Sequence, residues 1–107
     1  MNAPVENPLS EQYRVVAKQW VDADAAANIL EECKSATLAQ KMAACGDVPV
    51  SRAEMTVKAS QEWADYLTKM VDARKLANLK KVQMKYIEMK FHEWSSHNAT
   101  RRAEMRL

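Results

Sequence analysis

The chain has 107 residues, with 16 Lys and Arg against 14 Asp and Glu, and this length is typical of one small domain. It contains one glycine and three prolines, and 48% of its residues are hydrophobic, which disfavours both a turn-rich β fold and a disordered chain. No apolar run approaches the roughly 18–20 residues of a membrane span, and no basic-then-apolar leader opens the chain. A cytoplasmic protein without membrane contact is therefore predicted.

The first nine residues differ in composition from the rest of the chain. They contain Pro4, Asn7 and Pro8, which favour turns and irregular backbone over helix. We therefore predict a flexible N-terminal arm over residues 1–9, followed by a single helical domain over residues 10–107.

A first helix is predicted to begin at Ser10, whose hydroxyl can cap the first turn while Glu11 complements the helix dipole. Apolar residues then recur at helical spacing: Tyr13, Val16, Trp20, Ala23, Ala27 and Leu30. The helix either continues to Cys45 or pauses near Ser35. Gly46 ends it, because glycine readily adopts the left-handed conformation beyond a helix C-terminus.

A second helix is predicted to begin at Ser51. Ser51 and Glu54 have the spacing of a capping box, and Val50 and Met55 have that of a hydrophobic staple. No glycine or proline follows, so the helix is expected to continue to about Ser95. The cluster at residues 95–98 predicts a fray or kink, with a last short helical segment over residues 99–107.

This second helix carries a long apolar seam with alternating steps of three and four residues. We call these residues the main seam, in which Lys80 is the one charged exception: Trp63, Tyr66, Met70, Ala73, Ala77, Lys80, Met84, Ile87, Phe91 and Trp94. Such spacing keeps one helix face toward a partner helix, as in coiled coils. The predicted fold is all-α: a long helical hairpin of two helices, with or without a third short one, that assembles as a helical bundle.

A second apolar stripe lies away from the main seam on the same helix. It consists of Leu79, Val82, Tyr86 and Met89, which we call the outer stripe. A helix that is apolar on two sides must be covered on two sides, and a hairpin covers only one. We therefore predict that the outer stripe is a homo-oligomer interface, most simply of a dimer. The alternative is a three-helix monomer in which residues 36–45 fold back over the stripe.

Charge is distributed unevenly along the chain, with a net charge of −3 over residues 1–57 and +5 over residues 58–107. A basic surface can follow the phosphates of a nucleic acid. The candidate contacts are Arg74, Lys81, Lys85, Arg101 and Arg102. In the alternative interpretation, this face pairs with acidic residues of the first helix: Asp22, Asp24, Glu31 and Glu32.

No catalytic, metal or cofactor motif is recognisable. His92 and His97 are five apart, whereas a helical zinc motif places two histidines four apart. Cys33 and Cys45 lack metal-ligand or disulfide-framework spacing and are predicted to be buried structural thiols. The sequence thus predicts a non-enzymatic protein with no cofactor and no small-molecule substrate.

Three stretches resemble a family of small uncharacterised phage and prophage proteins, over roughly residues 30–107. They are residues 48–54, residues 70–74 with 77–78, and Phe91-His92-Glu93-Trp94 followed by residues 99–107. The resemblance transfers no residue-level site. It implies a DNA-linked accessory role or a role against host defence.

Three function classes follow from these patterns together with what the resemblance implies. The first is an oligomeric helical binding protein, an accessory of phage DNA recombination or replication. The second is a phage protein that binds and inhibits a host defence protein, and the third is a structural assembly component. The expected partners are accordingly a second copy of the chain, DNA or a host protein.

Overall fold

The computed structural model describes residues 8–106, and all the regular secondary structure in this part of the chain is α-helix, without strands. The helices are α1 (Leu9–Glu32), α2 (Lys34–Ala43), α3 (Val50–Lys58) and α4 (Gln61–Met105). The predicted all-α helical hairpin is confirmed. Residues 1–7 of the predicted arm lie outside the described residues, and Leu9 already belongs to α1.

Helices α1 and α4 form the hairpin and run antiparallel. The Tyr13 hydroxyl near the start of α1 donates to Glu88 late in α4, at 3.2 Å. At the other end, the Tyr66 hydroxyl donates to the carbonyl of Leu30. Because early residues of one helix meet late residues of the other, the two lie side by side in opposite directions.

Two helices have a proline as the N-cap residue instead of the predicted serine. Pro8 and Pro49 are the N-cap residues of α1 and α3, and neither cap has a side-chain hydrogen bond. The carbonyl of Pro49 accepts from two first-turn amides at 3.0 Å, and that of Pro8 does the same. Ser10 and Ser51 therefore lie inside the first turn. The predicted caps at these residues are wrong.

The hydrophobic staple and the unbroken second helix are also absent. Val50 and Met55 are each 73% exposed, so they do not pack together. The predicted second helix divides at residues 59–60 into α3 and α4. Ser60 makes the new start, because its Oγ accepts from the backbone N–H of Trp63 at 3.2 Å and donates to the Val57 carbonyl at 2.6 Å.

The first helix pauses at Cys33, close to the break anticipated at Ser35. Backbone bonds of 2.9 Å from Cys33 N–H to Ile29 and from Thr37 N–H to Cys33 bridge the pause. Cys33 is exposed and Cys45 is half-buried, which contradicts the prediction of two buried thiols. Gly46 follows α2 with a φ of +85°, and it ends this region as predicted.

Helix α4 continues without a break through residues 95–98, so the predicted fray is wrong. The Thr100 hydroxyl donates to the Ser96 carbonyl at 3.1 Å, one helical turn earlier. Polar side chains in this segment are thus accommodated within a regular helix. None of the described helices is long and apolar enough to span a membrane.

The core lies along the main seam, between α1 and α4. Trp63, Ala77 and Ile87 of the seam are buried, as is Ala27 of α1, which has no exposed surface. Alanines at Ala27 and Ala77 fill little space, and this favours close approach of the two helices. Trp63 also stacks on Tyr66, with ring centroids 5.5 Å apart.

The molecule is a thin rod. Its extents are 84 × 35 × 17 Å, and its radius of gyration is 23.7 Å. A compact domain of this length would have a radius of gyration of about 13 Å. A rod of this thickness buries little surface per residue, so its uncovered apolar faces are candidate binding surfaces.

Candidate functional site

The outer stripe is exposed along its whole length. Leu79, Val82, Tyr86 and Met89 are 52%, 64%, 60% and 55% exposed. Helical spacing places them on the side of α4 opposite the main seam. Because α1 packs against the seam, it leaves these residues uncovered. Residues 36–45 do not cover them, since α2 packs against α3 instead. The three-helix arrangement in which this segment folds over the stripe is therefore not the one adopted.

The exposed area of the chain is large for its size. The chain presents 8637 Å² to solvent. A compact monomer of 12.2 kDa would present about 6,100 Å² by the usual scaling of area with mass. The excess is well above the roughly 800 Å² that each partner contributes to a standard protein interface.

Charged residues continue the outer stripe at both ends. Lys75 precedes Leu79 by four residues, and Glu93 follows Met89 by four, so both lie on the same side of α4. Both are exposed, and neither forms an ion pair with another described residue. Sequence reasoning missed them because it followed only the apolar positions, although the same spacing extends to both.

Arg74 joins α4 to α1 and is the most heavily bonded side chain of the predicted basic set. Its guanidinium donates to both carboxylate oxygens of Glu31, at 2.9 and 2.6 Å. It also donates to Asp24 at 2.7 Å and to the side-chain oxygen of Asn28 at 2.6 Å. The alternative in which the basic face pairs with acidic residues of the first helix thus applies to Arg74.

These contacts change the protonation equilibria of the pair. The hydrogen bond from Arg74 lowers the pKa of Glu31, and the hydrogen bonds to Glu31 and Asp24 raise the pKa of Arg74. Both groups are therefore held in their charged forms. A phosphate would have to compete with these carboxylates for the guanidinium, so nucleic-acid contact by Arg74 stays a prediction.

The other predicted basic residues are more available to a partner. Lys81, Arg101 and Arg102 are exposed, and none of them forms an ion pair with another described residue. Lys85 has a side chain that is 76% exposed and lies 3.8 Å from Glu88 in the same helix. The structure thus separates Arg74, which fastens the hairpin, from four cations that face solvent.

An open groove of about 720 Å³ lies at the end of the hairpin, where α1 begins beside α4. Its lining is mostly apolar and includes Leu9, Ile87, Phe91 and Trp94. The hydrogen bond between Tyr13 and Glu88 lies at its edge, and it raises the pKa of the Tyr13 phenol. Phe91 and Trp94 are 48% and 58% exposed, because α1 begins at Leu9 and the main seam continues past it.

Comparisons with known proteins give no relative: no family model, no curated protein and no solved structure matches the chain. Functional interpretation therefore depends on the surfaces described above. The two with distinct chemistry are the outer stripe with its charged ends and the exposed cations of α4.

Proposed function

We propose that the chain is a non-enzymatic helical binding protein that works as a homo-oligomer, most simply a dimer joined through the outer stripe. The observation that carries this proposal is the exposure of all four stripe residues on one face of a long helix. Four large apolar side chains in one line form a patch that marks an interaction site more often than a solvated surface.

The shape of the chain supports the same proposal. A rod only 17 Å thick has one layer of contacts between α1 and α4, and a second copy against the outer stripe would give α4 neighbours on both apolar sides. Burial of apolar area contributes about 25 cal/mol per Å² before the costs of association. Self-association would therefore stabilise a fold whose single-chain core is small.

The experiment replaces Val82 and Met89 together by glutamate. Four carboxylates would then meet at a symmetric interface, so the double variant should sediment as a monomer at concentrations at which the parent is a dimer. The matched control replaces Val21 and Ile29 by glutamate. These residues are 56% and 60% exposed on α1, so the control has the same charge change on another face.

Circular dichroism of both variants shows whether each remains helical. The proposal predicts that the control keeps the oligomeric mass of the parent, whereas the stripe variant has the mass of a monomer. A stripe variant with the parent's oligomeric mass would contradict the proposed interface. Equal dissociation of both variants would also contradict it, because the effect would then be a general response to added charge.

DNA is a second candidate partner, and the observation that favours it is the group of exposed cations on α4. Lys81, Arg101 and Arg102 have no carboxylate partner among the described residues, and Lys85 has only a long contact to Glu88. Exposed cations of this kind bind phosphates by releasing condensed counterions from DNA. This surface would support an accessory role in phage DNA recombination or replication.

A salt-dependent DNA-binding titration tests this role. The variant replaces three cations by glutamine and spares Arg74, which fastens the hairpin: Lys81, Arg101 and Arg102. The control removes the same charge from exposed residues outside α4: Lys18, Lys34 and Arg52. The slope of log K against log salt should become shallower by about 0.9 for each phosphate that the first variant no longer binds, and it should stay unchanged in the control. No binding by the parent at low salt would remove the role altogether.

A further inference from the structure

We infer that the partner copy lies antiparallel on the outer stripe, with a two-fold axis that crosses the stripe level with residue 84 and with Lys75 of each copy facing the partner's Glu93. This inference rests on the proposed dimer and specifies its direction and register. The structure supplies three observations for it: the symmetry of the apolar positions, the charges at their ends, and a depression next to the stripe.

The outer stripe is symmetric about Met84. Val82 and Tyr86 lie two residues on either side of it, and Leu79 and Met89 lie five residues on either side. An antiparallel copy that shares this midpoint places Leu79 level with the partner's Met89. It likewise places Val82 level with the partner's Tyr86. Every apolar side chain then meets an apolar one, and each contact occurs twice.

The charged ends of the stripe select the same direction. Lys75 and Glu93 lie nine residues on either side of Met84, so the antiparallel pairing brings opposite charges together at both ends. A parallel pairing would place Lys75 against the partner's Lys75 and Glu93 against the partner's Glu93. Like charges that face each other across an interface oppose association.

The register is restricted as well as the direction. If the antiparallel copy moved by one heptad toward residue 72, Asp72 would lie level with the partner's Met89. A carboxylate would then be buried against an apolar side chain without a partner charge, which is costly. The register centred on Met84 avoids this mismatch.

A shallow depression continues the face beyond Lys75. It has a volume of about 310 Å³ and is lined by Leu67, Thr68, Val71, Asp72 and Lys75. In the centred register, residues 93–100 of the second copy lie over this depression. The overlap then extends over residues 68–100, roughly 50 Å of helix at 1.5 Å per residue. A contact of this length can supply the area of a standard interface.

Charge reversal tests the arrangement without disturbing the fold, since Lys75 and Glu93 are both exposed. The variants are Lys75→Glu, Glu93→Lys and the double reversal, with Lys18→Glu on α1 as the control. Each single variant places like charges at both ends of the dimer and should raise the dimer Kd about tenfold or more at low salt. The double reversal restores opposite charges and should return Kd to within about threefold of the parent.

The control and the alternatives give different results. Lys18→Glu should leave Kd within about twofold, because its charge lies outside the interface. In a parallel dimer, every variant, single or double, would keep like charges facing each other as they do in the parent, so the single variants would leave Kd close to the parent value. A dimeric parent whose single variants keep the parent Kd, or whose double variant is not rescued, overturns the antiparallel register alone. A monomeric parent removes the proposed dimer itself.

Cysteine cross-linking gives a second measurement that does not depend on charge. In a background with Cys33 and Cys45 replaced by serine, Leu79→Cys and Met89→Cys chains are oxidised separately and as a mixture. The antiparallel register places residue 79 beside the partner's residue 89, so a disulfide should form mainly between the two different variants, because bonded cysteines need Cα atoms within about 7 Å. Rapid cross-linking of Leu79→Cys alone would overturn it.

Discussion

Replacing Ser60 by alanine tests the local feature that divides the second half of the chain into α3 and α4. The Ser60 hydroxyl makes two hydrogen bonds, accepting from the Trp63 N–H at 3.2 Å and donating to the Val57 carbonyl at 2.6 Å. An alanine leaves a first-turn amide and a last-turn carbonyl without these partners. Loss of an N-cap hydroxyl costs about 0.5–2 kcal/mol, and the second bond places the expected loss at about 1–2 kcal/mol.

Urea denaturation at a fixed protein concentration measures this loss. For a small domain the slope is roughly 1–3 kcal/mol per molar urea, so the midpoint should fall by roughly 0.3–2 M. Ser60→Thr keeps the hydroxyl and should stay close to the parent. Ser51→Ala is the matched comparison, since Ser51 lies inside the first turn of α3 and caps nothing. It should be neutral or stabilise by about a few tenths of a kcal/mol, because alanine favours helix.

The opposite order of stabilities would refute this reasoning. If Ser51→Ala lowered the midpoint while Ser60→Ala overlaid the parent, the capping box predicted from the sequence would be formed and the break at Ser60 would not. Fixed protein concentration matters, because self-association adds a concentration-dependent term to apparent stability.

Two further predictions concern the contact between α1 and α4. Ile87→Ala should cost about 2–3 kcal/mol of stability, the low end for a buried isoleucine, because the open groove lies beside it. Ile29→Ala, at an exposed position, should change stability by under about 0.5 kcal/mol. Urea denaturation measures both. Arg74→Gln should destabilise the hairpin at neutral pH. Since Arg74 lowers the pKa of Glu31, its contribution is present above the ordinary glutamate pKa and is lost as pH falls through the lowered value. The stability difference between parent and Arg74→Gln should therefore shrink on acidification. A constant difference would contradict a stabilising ion pair between Arg74 and Glu31.

The main seam could be predicted because one periodic pattern extends over many residues. Trp63, Ala77 and Ile87 are buried where the alternation of three and four places them. Pattern alone could not show where the seam loses its partner helix. That point depends on where α1 begins, and it leaves Phe91 and Trp94 about half exposed.

Helix boundaries were less predictable because several local signals compete. At Pro8 and Pro49 the extended backbone of proline serves as the N-cap, and the serine two residues later no longer caps. At Ser60 a serine followed by Glu62 in the first turn was a genuine start signal. It was missed because no glycine or proline accompanies it and apolar residues continue on both sides.

The candidate site was only partly visible in the sequence. The outer stripe follows directly from helical spacing. The hydrogen bonds of Arg74 to α1 join residues that are 43 to 50 positions apart. The sequence could therefore predict this pairing only as one of two alternatives. Lys75 and Glu93 are candidates for contacts with a second copy only because the stripe between them is uncovered, which the sequence alone could not show.

Sedimentation equilibrium of the parent protein over a micromolar concentration range tests the central claim most directly. The method measures mass independently of shape, and this matters for a rod 84 Å long. The account predicts a concentration-dependent mass that approaches twice the 12.2 kDa of the chain. A mass of 12.2 kDa at every concentration would contradict the claim that the outer stripe joins two copies.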